Sequence, residues 1–286
     1  MILFALIVAA LLFVDLALLH RGSRGGSPRT AALWTIFLVL IAAAYTLYTG
    51  WHSGHEAGLE FASGYLIEAS LSIDNLFVFL IMFRALKLEE EQQHRVLLWG
   101  ILGAIALRGL FIVVGVQLLE RFVWVQYIFG VILAIAALRL LFAHPRKQAP
   151  SRPIRWLLHH GLRRLPDGRL VLASLLLVIC AVELTDLVFA LDSVPAVLAV
   201  TRSPIIAWTS NVFAILGLRS LYFLLAGLLD RFHLLHYGLG IILAFVAFKM
   251  LAAHWLHIPT LISLCVILAT VAAFVTLSLT RKPKAA

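Results

Sequence analysis

Acidic side chains recur inside apolar segments of this 286-residue chain. Each ionised group near the centre of a bilayer costs about 2.5–3.5 kcal/mol on insertion scales, so such residues are rare unless they have a role. Of the six acids in these segments, Asp15 is one helical turn from a segment end and is predicted to be interfacial. The other five fall on only two segments: Glu68, Asp74, Glu183, Asp186 and Asp192.

Two kinds of positive charge could compensate these five acids. Arg108 and Arg219 could form a structural ion network, although two guanidinium groups would leave three carboxylates to be neutralised in another way. A divalent cation is the alternative, because oxygen-rich sites without imidazole or thiolate suit Mg²⁺, Ca²⁺ or Mn²⁺. The eleven histidines lie at segment ends or in loops. The residues therefore predict a hard-cation site near the bilayer midplane, which the two arginines neutralise when it is empty.

Neutral side chains near the acids could supply further oxygen ligands, or could instead form hydrogen bonds between helices. They are Asn75, Thr185, Ser193 and Asn211. Glu183 and Asp186 share a helix face, whereas residues six apart, such as Glu68 and Asp74, do not share one on a straight helix. Pro195 also removes a backbone donor from the second acidic segment. We therefore expect both acid-bearing helices to be kinked or broken near the acids; continuous helices that contribute only some of the acids are the alternative.

The composition around these acids is that of a membrane protein. Hydrophobic residues make up 63% of the chain and charged residues 13%, against roughly 45–50% and about 25% in soluble domains. This excludes an ordinary soluble enzyme, a disordered chain and a nucleic-acid-binding protein. A membrane-spanning helix needs about 20 residues. The fold prediction is an all-α polytopic membrane protein with about nine transmembrane helices, at 2–19, 31–50, 61–83, 96–118, 122–143, 170–200, 205–229, 233–253 and 258–280.

The distribution of lysine and arginine predicts how the chain is oriented. With the N-terminus outside, seventeen of these residues lie in inward-facing loops and two in outward-facing loops, which satisfies the positive-inside rule. We therefore expect the N-terminus outside and the C-terminus inside. The longest loop, 144–169, contains the stretch PIRWLLHHGLRRL. It is predicted to form a short basic helix that contacts lipids at the anionic inner surface, with a solvated linker as the alternative.

The second half of the chain echoes the first. EASLSIDN at 68–75 aligns with DLVFALDS at 186–193: each has an acid, a second acid six residues later, and then a small polar residue. Arg108 aligns with Arg219, and the offset falls from 118 residues at the acids to 111 at the arginines and 110 further on. Because each unit would hold three helices, an odd number, the second unit must enter the membrane from the opposite side. The result is an inverted repeat of predicted spans 3–5 and 6–8, and the substrate site is expected where the two units meet.

These features divide the chain into five parts. Residues 1–60 hold two N-terminal spans, 61–143 the first three-helix unit and 170–253 the second. The basic loop 144–169 joins the two units, and 254–286 hold the last span and a basic tail.

Four stretches carry a family resemblance. They are GYLIEASLSIDNLFVF at 64–79, QHRVLLWGILGAIALRGLF at 93–111, VELTDLVFALDSVPAVLAVT at 182–201 and TSNVFAILGLRSLYFLLAGLLDRF at 209–232. Together they resemble the TerC family of bacterial integral membrane proteins, which includes Alx-type manganese exporters. The resemblance implies two inverted three-helix repeats, a relation to LysE-type transporters and residence in the bacterial cytoplasmic (inner) membrane. It also implies that the five acids occupy the acidic positions of the family.

The buried acids and the resemblance lead to one functional hypothesis. It is export of a divalent metal ion by alternating access, with Mn²⁺ preferred and Ca²⁺ or Mg²⁺ left open. The resemblance further implies an association with tellurite resistance and a role in supplying metal to exported enzymes. The partners expected on this basis are metal-dependent exported proteins. The alternative is a membrane metal sensor or scaffold, without transport, in tellurite or envelope stress. An enzyme is not predicted, because the sequence has no His-Glu-x-x-His motif and no serine–histidine pairing at membrane depth.

Overall fold

A computed structural model describes residues 28–86, 88–142, 172–226, 234–256 and 258–280, together with six of the first fourteen residues. Throughout these residues the regular secondary structure is helical, with no strand. The helices are α1 (Pro28–Ser53), α2 (His55–Ala85), α3 (Glu90–Arg121), α4 (Val123–Phe142), α5 (Leu172–Leu198), α6 (Pro204–Leu216), α7 (Leu218–Ala226), α8 (Leu235–Ala252) and α9 (Thr260–Thr280). Asp15, the basic loop 144–169, the basic tail and the side chain of Asp74 lie outside the described part.

Six stretches of the described residues are long and apolar enough to cross a membrane: α1, α3, α4, α5, α6 with α7, and α9. Helix α8 is apolar but shorter, and α2 is 31 residues long but carries the acids of the first predicted unit. The prediction of an all-helical membrane protein is therefore confirmed. The count of nine spans stays a prediction, because most of the first one, 2–19, lies outside the described residues.

The outer surface of the described helices is rich in large apolar side chains. On α1 alone Leu33, Leu40 and Leu47 are more than 60% exposed. A soluble monomer rarely exposes apolar patches of this extent. Lipid-facing helices do, because lipid tails are as apolar as the side chains they contact.

Helices far apart in sequence pack together. Helix α4 packs along α8, α3 along α5, and α2 along α6, and the two acid-bearing helices α2 and α5 also contact each other. One buried apolar cluster joins α3, α4, α5 and α8 through residues such as Ile112, Leu133 and Val246. Another joins α2, α3, α5 and α7 through residues such as Leu76, Val178 and Tyr222. Helices α2 and α5 are therefore held by apolar packing on several sides, and this packing fixes the positions of their acids.

The expected breaks in the acid-bearing helices were wrong. Both are uninterrupted over the described residues, α2 for 31 residues and α5 for 27. Pro195 lies in the last turn of α5, so its missing amide removes one hydrogen bond to the preceding turn close to where the helix ends. A local tightening occurs instead at Gly217, inside the single span predicted at 205–229. There the Gly217 amide donates to the Ala214 carbonyl oxygen at 3.1 Å, a tighter turn than an α-helix, between α6 and α7, although the Gly217 dihedrals stay helical.

Gly54 alone joins α1 to α2, and its φ is +100°. A β-carbon is strained in this left-handed region, whereas glycine is not. We expect Gly54→Ala to lower the free energy of unfolding by about 1–2 kcal/mol, measured by denaturant titration in detergent micelles. Gly50→Ala is the matched control, because its β-carbon would meet only the Gly58 Cα at an ordinary 3.8 Å. Equal stabilities for the two variants would contradict the assignment of strain to Gly54.

Candidate functional site

Arg108 on α3 lies at the centre of a buried ion cluster that joins α2, α3 and α5. Its Nε donates to Asp186 Oδ2 at 3.0 Å and its Nη2 donates to Asp186 Oδ1 at 2.7 Å, a bidentate pairing. Its Nη1 forms an ion pair with Glu68 and donates to Ser193 Oγ at 3.3 Å. Arg108 and Glu68 are completely buried, and Asp186 is 4% exposed. Bidentate charge-assisted pairing of this kind is among the strongest hydrogen bonding in proteins.

The two acids on Arg108 occupy corresponding positions of the predicted repeat. Glu68 opens the acidic stretch of the first unit and Asp186 opens that of the second. On α2, Ser72 lies one turn after Glu68 and donates to Glu68 Oε1 at 3.5 Å. The other oxygen, Oε2, is buried without a hydrogen-bond partner among the described residues. One guanidinium group is therefore shared by two carboxylates, and one of them keeps an unsatisfied oxygen.

Glu183 lies one helical turn before Asp186, in the groove between α5 and α3. Both of its carboxylate oxygens are buried and have no hydrogen-bond partner among the described residues. Its carboxylate rests against Gly103, where a β-carbon would overlap it. Asp186 and Arg108 are close enough to act on it electrostatically. A buried carboxylate without a donor is costly, so a proton, a cation or a hydrogen-bonding water would stabilise the Glu183 side chain at this position.

The remaining predicted acids are not part of the Arg108 cluster as described. Asp192 is partly buried on α5, and the charge that acts on it is that of Arg139 on α4. Asp74 is on α2, where only its backbone is described. Within the described residues no group of three or more His, Cys, Asp and Glu side chains has metal-binding geometry. The structure thus brings Glu68 and Asp186 together on Arg108, with Glu183 one turn away on α5 and within electrostatic range of Asp186 and Arg108. Asp192 does not contact Arg108 among the described contacts.

The four predicted neutral ligands occupy different surroundings. Ser193 accepts a hydrogen bond from Arg108 and belongs to the cluster. Thr185 donates to the Ala181 carbonyl oxygen of its own helix at 2.7 Å. Asn211 on α6 is completely buried, and neither atom of its amide has a hydrogen-bond partner in the described part of the chain. Asn75 is buried on α2.

Arg219, the second predicted compensating arginine, contacts a histidine in this structure. It is 2% exposed on α7, and its Nη2 lies 3.3 Å from Nδ1 of His94 on α3. The His94 ring in turn contacts the ring of Phe223, with centroids 4.2 Å apart. Arg108 and Arg219, which align in the predicted repeat, therefore occupy different environments.

Two features escaped the sequence analysis. The first is the contact of Gly103 with Glu183, which nothing in the spacing of the glycine indicated. The second feature is a polar network at one end of the bundle, where Glu60 accepts a hydrogen bond from Thr201 at 2.6 Å. There Lys249 donates to Ser263 Oγ at 2.9 Å and interacts electrostatically with Glu60. This network joins α2, α5, α8 and α9 at the end predicted to face outward.

Comparison with known proteins decides the family. The family model described as "Integral membrane protein TerC family" matches residues 52–286. The chain belongs to the TerC family. This confirms the sequence resemblance, and the TerC match includes both acid-bearing helices, α2 and α5.

Several relatives are similar to this TerC-family chain over most of its length. The "Uncharacterized membrane protein STKORF319" of Myxococcus xanthus is 40% identical, over 96% of this chain and 90% of its own. The "Putative membrane-bound redox modulator Alx" of Escherichia coli K12 is 40% identical, over 92% of this chain and 89% of its own. An "Uncharacterized membrane protein" of Rickettsia felis is 34% identical, over 98% of this chain and 97% of its own. No solved structure matches the chain.

Proposed function

We propose that this TerC-family protein exports a divalent metal ion, with Mn²⁺ as the expected cargo, through the carboxylate centre between α2, α3 and α5. The supporting observation is the charge balance of that centre. Glu68 and Asp186 both pair with the guanidinium group of Arg108, and the buried Glu183 carboxylate lies within electrostatic range of the same group. When ionised, the centre has a net negative charge and a surplus of oxygen donors, which are the ligands that Mn²⁺, Ca²⁺ and Mg²⁺ prefer.

The position of Glu183 favours ion handling over a purely structural ion pair. A structural role would be served by Arg108 and Asp186, whose pairing is complete in itself. Glu183 adds the cost of a third buried carboxylate without adding a hydrogen bond among the described residues. Burial of such a carboxylate becomes favourable when a cation binds to it. The presence of Glu183 therefore supports a site that binds and releases a metal ion. Asp74, Asp192, Asn75 and Asn211 stay proposed as further ligands in other states of the cycle.

Helix packing supports the proposed inverted repeat. The pairing of α3 with α5 is mirrored by that of α6 with α2, and α4 pairs with its own counterpart α8. Two glycine contacts are reciprocal as well. A β-carbon at Gly130 would meet Leu251 Cγ at 2.7 Å, and one at Gly240 would meet Leu141 Cγ at 2.8 Å, with both pairs related by 110 residues. A two-fold relation of this kind suits alternating access around a central site.

The proposed setting is the cytoplasmic membrane of a bacterium, with the N-terminus outside and the C-terminus inside. The support is the excess of lysine and arginine in the loops predicted to face inward. The basic loop 144–169 is proposed to contact anionic lipids, and metal-dependent exported proteins are proposed to receive the ion.

A sensor or redox role is the competing proposal, and the names of the Alx relatives point to the latter. The two cysteines of this chain, Cys180 on α5 and Cys265 on α9, are unbridged and exposed on different helices. The buried carboxylates are the more specific feature, so ion transport is the function we favour. A sensor would bind the ion without moving it across the membrane.

Flux through reconstituted protein tests the proposal. Protein in liposomes should move Mn²⁺ down its gradient, and Glu183→Gln should lower the initial rate by at least about tenfold, since even the partners of metal ligands affect binding 10–100-fold. Glu91→Gln is the matched control, because Glu91 is an exposed acid paired with Arg95 and its loss should leave the rate unchanged. Competition by Ca²⁺ and Mg²⁺ identifies the cargo, and a pH gradient identifies proton coupling.

Two results would count against transport. Mn²⁺ binding without flux in the unaltered protein would favour the sensor. Equal flux in Glu183→Gln and Glu91→Gln would remove Glu183 from the mechanism.

A further inference from the structure

We infer that Arg108 and Arg219 take turns as the counter-cation of one carboxylate pair. Arg108 neutralises Glu68 and Asp186 in the conformation described, and Arg219 neutralises the same pair in the opposite conformation. The inference deepens the proposed function and rests on it, because it uses the two-state cycle of an inverted repeat.

The carboxylate pair takes one acid from each unit of the proposed repeat, at corresponding positions. Its counter-cation in this conformation, Arg108, comes from the first unit alone. Glu68 and Asp186 correspond to each other, so exchanging the conformations of the two units returns the same pair. The same exchange converts Arg108 into Arg219. In transporters with inverted repeats, the two access states are related by this kind of exchange around a fixed site. The acid pair is therefore common to both states, and the arginine that binds it differs.

The third contact of Arg108 also has a counterpart in place. Arg108 Nη1 donates to Ser193, which follows the second acid of its unit. The corresponding residue of the first unit is Asn75, which follows Asp74. Asn75 lies on α2, the helix that carries Glu68, and it is buried. An amide oxygen at this position can accept from a guanidinium group as a serine hydroxyl does.

Arg219 is placed to make this move. It lies on α7, a nine-residue helix that packs on α2 and follows the tight turn at Gly217. The corresponding span of the first unit, α3, is continuous. Arg219 Nη2 lies 3.3 Å from Nδ1 of His94 on α3, the helix that carries Arg108. Helix α7 therefore contacts α2 and α3, the two helices that form the ion pair between Glu68 and Arg108.

The alternation of the two arginines would allow the protein to return to its starting conformation without a bound metal ion. Without a counter-cation, an empty site would hold two buried acids close together, which opposes return after the ion has left. An arginine from each unit compensates the pair in each state, and the departing metal ion is replaced by a guanidinium group. The cycle then requires both arginines, because each one neutralises the acid pair in a different state.

The accessibility of two reporter cysteines tests the alternation. In the Cys180→Ala, Cys265→Ala background, Ala196→Cys and Val96→Cys are made separately; both sites are completely buried, one near each end of the bundle. The ratio of their labelling rates by a maleimide, with no metal present, reports the conformational equilibrium. R108Q should change this ratio by at least about tenfold, because it removes compensation from one state only. R108Q/R219Q should return it to within about threefold of the parent, because both states then lack compensation.

Matched variants separate this outcome from a general loss of structure. Arg95→Gln removes an exposed arginine and should leave the ratio unchanged. If R108Q/R219Q does not fold, as judged by size-exclusion chromatography, R108Q/R219K serves, because lysine lacks the bidentate fork and must reduce the R108Q shift. An unchanged ratio in R108Q, or a double variant that keeps the full shift, would overturn the inference. Because no metal is used, a failure of Mn²⁺ flux in the parent would overturn the proposed function and not this result.

Discussion

The variant Asp186→Asn should unfold far more easily than the unaltered protein, because it removes the bidentate partner of the buried Arg108 guanidinium group. Removing one partner of a buried ion pair costs roughly 3–5 kcal/mol. Asparagine is neutral and presents one acceptor oxygen, so it cannot reproduce the two charge-assisted bonds at 3.0 and 2.7 Å. The free energy of unfolding, measured by denaturant titration in detergent micelles, is the readout.

Thr185→Val is the matched control for Asp186→Asn. Thr185 is the preceding residue and is also buried, but its hydroxyl donates within its own helix. Its replacement should cost only about 1 kcal/mol, the net value of one neutral hydrogen bond. Similar losses in the two variants would mean that the ion cluster contributes no special stability.

The buried ion cluster shows which features of the site could be predicted from the sequence and which could not. Its members were identifiable because charged residues stand out in apolar segments, and the repeat aligned Glu68 with Asp186. The repeat also aligned Arg108 with Arg219 and so suggested equal roles. The structure distinguishes them: Arg108 binds both acids and Arg219 contacts His94. An alignment relates positions, but the conformation of each unit decides which arginine reaches the acids.

Helix continuity was mispredicted for a physical reason. Acids six residues apart do not share a face on one helix, so we expected the helices to break in order to bring them together. The protein keeps α2 and α5 continuous and pairs an acid from each with Arg108, while Asp192 interacts electrostatically with Arg139. A lone glycine in an apolar segment did not indicate the tight turn at Gly217. Tertiary contacts therefore decided which acids face Arg108.

The groove that holds Glu183 leads to the second large expected effect. Gly103→Ala should lower Mn²⁺ efflux about as much as Glu183→Gln, because its β-carbon would overlap the Glu183 carboxylate and force it out of the groove between α3 and α5. Alanine is the better helix former, by about 1 kcal/mol, so a local loss of helix is not the expected cause. Initial flux in liposomes and the free energy of unfolding should be measured on the same samples.

Gly100→Ala controls for added volume in the same groove. Its β-carbon would lie 3.1 Å from Val182 Cγ1 and 4.0 Å from the nearest Glu183 oxygen, so it crowds an apolar neighbour and leaves the carboxylate in place. It should retain most of the flux. Substitutions that act through one group are not additive, so Gly103→Ala/Glu183→Gln should transport no more slowly than Glu183→Gln alone. Losses that add, or a Gly103→Ala protein with normal flux, would mean that Glu183 does not act from this groove, and the ion would then have to be held by Glu68 and Asp186 without it.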